Sequence, residues 1–409
     1  MKHRSLVRAG VGVTVLAVVV GLSGCGSRGS ESSGSASSPA KKKATIGVIA
    51  PLSGDLSAMG LGIQHSVELA VKQANDAGAL PGWTLQVTPK DDETRPEPGK
   101  NGATQLASDD SVVGVVGTLN SSVAAPVQPV LNSANIVMVS PANTNPTLTR
   151  GPNPDSPQRL YPNYFRTCTT DTVQGPFAAQ YLLKKGINKV ATIHDKKTYG
   201  QGLVNAFTKE FTAKGGQVVT AQTINPDDSN YAAAISQVKA AGPQAVYYGG
   251  EYPQAGPLSQ QLHAAGLMVP LMGGDGIYDA TYIRLAGAQA TGDLATSVGA
   301  PLDKLPKGKD FLDAYNAAGY QEPPSAYGAY SYDAANTIIE GLKVSLKDAA
   351  TAKDARKATI DAVGKVNFDG LTGKVAFDAY GDSTTRVLTV YKVTDGRWVA
   401  DETSEFGTN

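Results

Sequence analysis

Apolar runs of strand length recur along this chain, each separated from the next by an amphipathic or turn-bounded segment, and this alternation constrains the fold more than any other feature. The first series is TIGVIA (45–50), WTLQV (83–87), VVGVVG (112–117) and IVMVS (136–140). The second is KVATIHD (189–195), QVVTAQTI (217–224), AVYYGG (245–250) and VPLMGGD (269–275). Before the second series and then between its first two runs, Phe177, Ala178, Tyr181 and Leu182, and Leu203, Phe207 and Phe211, repeat at helical intervals. Strands alternating with helices form βαβ units, so the pattern predicts α/β architecture with parallel sheets covered by helices on both faces. Two series predict two lobes, in keeping with a folded body of about 365 residues, beyond the size at which one core keeps growing. The Pro-rich stretch from Pro141 to Pro162 falls between the series and reads as their connection.

The N-terminus is set apart from this pattern. Lys2, Arg4 and Arg8 precede an apolar stretch from Ala9 to Leu22 that is too short to span a bilayer, the layout of a signal peptide over residues 1–24. It ends in Leu22-Ser23-Gly24-Cys25, which resembles the lipobox of bacterial lipoproteins and implies a diacylglycerol on Cys25. An ordinary signal peptide with an incidental cysteine is the alternative. Residues 25–43 form a Gly/Ser-rich tether with a coil span of roughly 20–25 Å, which places the folded body outside the cytoplasm, anchored at the outer face of the cell membrane. Cys168 is then left unpaired, without a disulfide framework.

After removal of residues 1–24 the chain carries 33 basic and 36 acidic residues, a formal charge of −3. That balance gives no electrostatic footprint for nucleic acid. No phosphate-binding loop, HExxH, GxSxG or paired CxxC is present, so no enzyme, metal or cofactor chemistry is expected. His194 beside Asp195 is the one tempting pair, but neighbouring residues at a strand end point to opposite faces, and His194 reads as structural.

In open parallel sheets, ligands bind beyond the carboxyl ends of the strands. The loops there carry Leu119 and Ser121, Ala142 and Thr144, Tyr199, and Asp275 within LMGGDGI. Ser121 and Thr144 supply hydroxyls and backbone N–H groups suited to a carboxylate, or they are plain N-caps. Asp275 offers the opposite charge, or caps a helix near residue 279. An anion-binding set facing an acid suits a zwitterion such as an amino acid. The glycines flanking Asp275 keep side chains away and let backbone approach a ligand closely. With 17 Tyr against 8 Phe, the chain is rich in the aromatic that lines half-wet clefts.

The stretches IGVIAPLSG (46–54), MVSPANTNPTLT (138–149), IHDKKTYGQG (193–202), VYYGG (246–250) and LMGGDG (271–276) resemble the leucine/isoleucine/valine-binding proteins, the amino-acid receptors of branched-chain ABC transporters. The resemblance runs from about Ala44 to Asn409. It implies a type I periplasmic-binding fold of two doubly wound parallel-sheet lobes joined by a three-crossover hinge. Lobe 1 would be 44–168 plus 299–387, and lobe 2 would be 169–298 plus 388–409. It also implies that Ser121 and Thr144 hold the ligand carboxylate, and that Asp275, the Ala142 carbonyl and Thr144 meet its ammonium. Leu119, Tyr199 and Tyr327 would form an apolar side-chain wall, with helix core as the alternative for Tyr327.

Three departures from the family bear on specificity. Met59 replaces an aromatic, Glu251 replaces a pocket tyrosine, and Asn120 stands where a cysteine of a small disulfide would be. Met59 is a flexible filler that could widen the pocket. Glu251 could hold the ammonium, select a polar or basic side chain, or face solvent. The expected protein is a monomeric solute receptor for an amino acid, most simply a branched-chain one, working with a permease and an ATPase on separate chains. A ligand sensor at the membrane is the alternative.

Overall fold

The computed structural model describes residues 41–153 and 156–407. The expected signal peptide, Cys25 and the tether as far as residue 40 lie outside the described residues.

The first sheet contains β1 (Lys42–Ala50), β2 (Trp83–Asp91), β3 (Val112–Gly117), β4 (Val137–Ser140) and β5 (Tyr164–Arg166) in the order β2-β1-β3-β4-β5. Every pairing within it is parallel. The next five strands are β6 (Lys189–His194), β7 (Gln217–Thr223), β8 (Ala245–Gly249), β9 (Leu271–Gly273) and β10 (Leu294–Val298). They lie in the order β7-β6-β8-β9-β10, so the second sheet repeats the winding of the first. After the two-residue strands β11 (Phe368–Asp369) and β12 (Lys374–Val375), β13 (Val387–Thr394) and β14 (Arg397–Glu405) extend the second sheet beside β10 as an antiparallel edge.

These elements follow from their sequences. VVGVVG and AVYYG are buried at every residue, as strands covered on both faces must be. The helix Ser57–Asp76 buries Ile63, Val67, Ala70, Val71 and Ala74, a stripe at helical spacing, against the first sheet and the helix Gly328–Ser345. Gly114 is a residue without a Cβ because Ile338 and Val137 occupy that space from neighbouring elements.

The chain passes between the sheets three times. It leaves β5 for β6, returns after β10 to pack the helices Gly328–Ser345 and Ala352–Val363 on the first sheet, and leaves again for β13. Buried Arg356 ties the returning segment down, donating to the carbonyls of Val112 at 2.8 Å and Asp109 at 2.6 Å.

The stretch from Pro141 to Pro162 does not connect the two units. It joins β4 to β5 inside the first sheet, where Met138 pairs with Tyr164, and the crossing comes after Arg166. β5 escapes an apolar-pattern reading because it is three residues long and includes an arginine. That arginine is fully buried and bonds Asp382 at 2.9 Å. Such a partner offsets the cost of burying the charge.

Candidate functional site

Both sheets change winding direction between their second and third strands in space, and their loops there carry the residues of interest. In the first lobe, β3 ends at Gly117, where a Cβ would lie 2.3 Å from the Ile49 carbonyl oxygen, a position only glycine can occupy at φ 144°. Leu119 and Asn120 follow, and Ser121 opens the helix Ser121–Ser133. The next loop is built on Ser140, whose Oγ accepts the backbone N–H groups of Ala142 at 3.2 Å and Asn143 at 2.9 Å. From below, Arg166 donates to the carbonyls of Asn143 at 2.5 Å and Asn145 at 3.0 Å, which fixes the loop that carries Ala142 and Thr144.

In the second lobe Asp275 is fully buried. Its Oδ1 accepts the Tyr199 hydroxyl at 2.7 Å and the Gln174 amide at 3.0 Å, while its own N–H donates to Gln174 Oε1 at 3.0 Å. Thr296 donates to the same Gln174 oxygen and holds the amide in this orientation. The Tyr327 hydroxyl also bears on the carboxylate, yet Oδ2 has no hydrogen bond of standard geometry. Burial raises the Asp275 pKa, and the hydroxyl and amide donors oppose the rise only in part. No cation pairs with it among the described residues.

A second acid lies beside it. Asp171 is fully buried and shares the Gln174 amide, and burial first, then Asp275, push its carboxyl up to about 8. Thr144, also fully buried, sits next to Asp171, which its hydroxyl steadies without reaching standard hydrogen-bond geometry.

A small cavity opens between these loops. Met59, Leu119, Ser121, Ala142, Tyr199, Glu251 and Tyr327 line it, together with Asn120 and Gly276. Seven of the nine side chains or loop residues singled out from sequence therefore meet on one wall or another. The remaining two, Thr144 and Asp275, lie immediately behind: Asp275 bonds the lining Tyr199, and Thr144 follows Ala142 by two residues.

Neither capping alternative describes these residues. The helix near 279 is Ala280–Ala286, and its cap is Asp279, which accepts the Thr281 N–H at 2.7 Å. Thr144 is three residues ahead of the short helix Thr147–Arg150, and Ser121 is a first helical residue, not the residue before it. The glycines around Asp275 also make room for Tyr199. A Cβ on Gly274 would lie 2.3 Å from the Tyr199 hydroxyl oxygen, and one on Gly276 would lie 2.9 Å from the Tyr199 ring. They admit the tyrosine that holds Asp275.

Glu251 does not face solvent. It is 4% exposed, and its two oxygens are occupied by Asn120 Nδ2 at 2.8 Å and Lys197 Nζ at 3.0 Å. Sequence reading names Glu251 but not Lys197, Gln174 or Asp171. Lys197 stands two residues before Tyr199 in a stretch already singled out, while Gln174 and Asp171 carry no local signal. His194 and Asp195 each accept a nearby backbone N–H, from Lys196 at 3.1 Å and Lys197 at 3.0 Å, and so shape their own loop.

Two α/β lobes of repeated winding, with a buried cavity at the facing ends of their strands and an unpaired acid behind it, define a hinged solute-binding receptor. The chain belongs to the periplasmic binding protein family, whose model matches residues 43–397. Its fold is the type I periplasmic-binding fold, and its class is that of receptors, not enzymes. It is similar to the Leu/Ile/Val-binding protein homolog 3 of Brucella melitensis, 34% identical over 364 residues, which cover 88% of this chain and 93% of that one. Among solved structures it is similar to the branched-chain amino acid transporter substrate binding protein LivJ from Streptococcus pneumoniae in complex with isoleucine. That match has a TM-score of 0.78 at 26% identity, with 89% and 100% of the chains covered. The leucine binding protein LivK from Thermotoga maritima also has a TM-score of 0.78, at 25% identity and with 88% and 98% covered.

Proposed function

We propose that this receptor binds one branched-chain amino acid between its lobes and presents the closed form to a membrane permease of an ABC importer, with ATP hydrolysis carried by another chain. The observation that carries this reading is Asp275, a fully buried carboxyl with no paired cation among the described residues, directly behind a cavity between the lobes. A ligand ammonium supplies the missing charge. The relatives point the same way, being Leu/Ile/Val-binding proteins and an isoleucine complex.

The roles then divide by lobe. Ser121 and Thr144 of the first lobe hold the carboxylate, the Ala142 carbonyl and Thr144 accept from the ammonium, and Asp275 of the second lobe balances its charge. Met59, Leu119, Tyr199 and Tyr327 enclose the aliphatic side chain. Because these contacts come from both lobes, the ligand favours the closed arrangement over the open one, which a ligand touching one lobe cannot do. Glu251 does not favour a basic side chain, since Lys197 already neutralises it. The body acts as a monomer, with lobes 44–168 plus 299–387 and 169–298 plus 388–409, and a diacylglycerol on Cys25 tethers it outside the membrane.

Calorimetric titration with a panel of amino acids tests the reading. Leucine, isoleucine and valine should bind, and leucine should outbind alanine by more than tenfold, since each buried methylene contributes roughly 0.8 kcal/mol. Tight binding of arginine or glutamine with leucine silent contradicts it.

A further inference from the structure

Glu251 borders two spaces at once. It lines the small cavity, and it lines the mouth of the cleft, where Ser53, Asp55 and Arg95 of the first lobe face Lys197, Asp227 and Gln254 of the second. Its carboxylate comes from the loop after β8 in the second lobe, yet Oε1 accepts the amide of Asn120, which follows β3 in the first. Asn120 occupies the residue position before the helix Ser121–Ser133, but its side chain makes no capping bond to that helix. It is turned across the cleft instead. Both residues are at least 96% buried, at 3% and 4% exposure.

The second oxygen of Glu251 is held by Lys197 of its own lobe. Burial alone would lower the Lys197 pKa, but the carboxylates of Glu251 and Asp195 outweigh it and hold the ammonium above its ordinary value. The Lys197 contact therefore fixes the direction of the Glu251 side chain. A hydrogen bond to an ionised acceptor, formed between two otherwise separate bodies, exists only when they are together.

We propose that Asn120 and Glu251 form a latch across the cleft, held in place by Lys197, that stabilises the closed receptor and shuts the ligand cavity off from the cleft mouth. Glu251 on this account is a positioning residue that contributes alike to every ligand the cavity accepts, and not a selector of ligand charge. Other bonds also join the lobes, among them those from the Tyr252 hydroxyl to the Asp55 carbonyl at 2.5 Å, from the Asn145 amide to the Thr198 carbonyl at 2.7 Å and from the Asp171 N–H to the Thr144 carbonyl at 2.9 Å. Among the described residues, the Asn120–Glu251 bond is the one that joins two residues lining the cavity from opposite lobes.

The inference rests on the amino-acid receptor reading, so its test has a ligand-bound arm and a ligand-free arm. In the first arm, Asn120→Ala, Glu251→Ala and the double variant are titrated with leucine, isoleucine and valine, and leucine dissociation is followed by stopped-flow fluorescence. A latch predicts that Asn120→Ala weakens all three ligands by one common factor, roughly ten- to a hundredfold. The loss should appear as faster dissociation and should vanish in the Glu251→Ala background, because the two side chains act as one unit. Ligand-dependent losses, or fully additive ones, overturn the latch.

In the second arm, small-angle X-ray scattering compares the ligand-free wild type with Asn120→Ala, and the variant should be the more open. If the wild type binds no amino acid, the receptor reading fails and the scattering alone decides the latch, with identical profiles overturning it. If leucine binds with unchanged affinity and rate in Asn120→Ala, the receptor reading stands and the latch does not.

Discussion

The Tyr199 hydroxyl donates to Asp275 Oδ1 at 2.7 Å and accepts the Gly276 N–H at 3.2 Å, so one side chain fixes both the acid and the backbone beside it. Tyr199 also lines the cavity with its ring. It therefore links the apolar wall of the site to its charge.

Tyr199→Phe separates those two contributions. The ring remains, while Asp275 loses a donor and the Gly276 N–H loses its acceptor. Leucine affinity should fall about tenfold, the size of one hydrogen bond to a charged group, with the preference for leucine over alanine retained. Calorimetry with both amino acids checks this, and a lost preference with intact affinity contradicts it.

Asp171 carries a pH dependence. The folded chain keeps a proton on this carboxyl up to about pH 8, whereas its ordinary value is 3.8. Its contribution to stability is thus fully present below that ordinary value and is lost as pH rises through the interval. Asp171→Asn cannot ionise, so its stability relative to the wild type should grow between about pH 5 and pH 8, by up to about 1.4 kcal/mol per pH unit. Thermal melts across that range read the difference, and a gap independent of pH contradicts it.

Asp382 holds two arginines, Arg166 at 2.9 Å and Arg150 at 2.9 Å. Asp382→Ala leaves Arg166 fully buried without its partner, which costs roughly 3–5 kcal/mol. Melting should drop by several degrees, and leucine affinity should fall with it, because Arg166 supports the carbonyls of Asn143 and Asn145 behind Ala142 and Thr144. A melting temperature within about a degree of wild type contradicts this. The cost of an orphaned buried charge is too large to hide in such a measurement.

The anchor is tested at Cys25. Cys25→Ala should leave the membrane fraction, as an unanchored or unprocessed form that still binds leucine. Correctly processed protein that stays with the membrane contradicts lipidation at this residue.

How far the sequence shows this arrangement depends on how local the physics is. VVGVVG and AVYYGG are legible as buried strands because burial on both faces demands a continuous apolar run. β5 is not legible, since its place in the sheet is secured by the Arg166–Asp382 pair and not by apolar residues. Likewise LMGGDGI raises the question of an acid without a cation, but its answer involves Tyr199 and Gln174, 76 and 101 residues away. Glu251 stands out as a departure from the family, and its consequence was expected at the ligand. Its Oε1 partner is Asn120, another departure, 131 residues distant. Each change alone is uninformative; together they form a contact across the cleft.

The central claim is that the cation for Asp275 arrives with the ligand. Asp275→Asn retains an oxygen to accept from Tyr199 and Gln174 and removes only the charge, so the ligand-free fold should melt almost as the wild type does. An ammonium then closes into a buried site without its counter-charge, an imbalance of roughly 3–5 kcal/mol, or about a hundred- to a few-thousandfold in affinity. Calorimetric titration of Asp275→Asn with leucine, beside the wild type at the same pH, should show that loss. Leucine bound at near wild-type affinity contradicts the account.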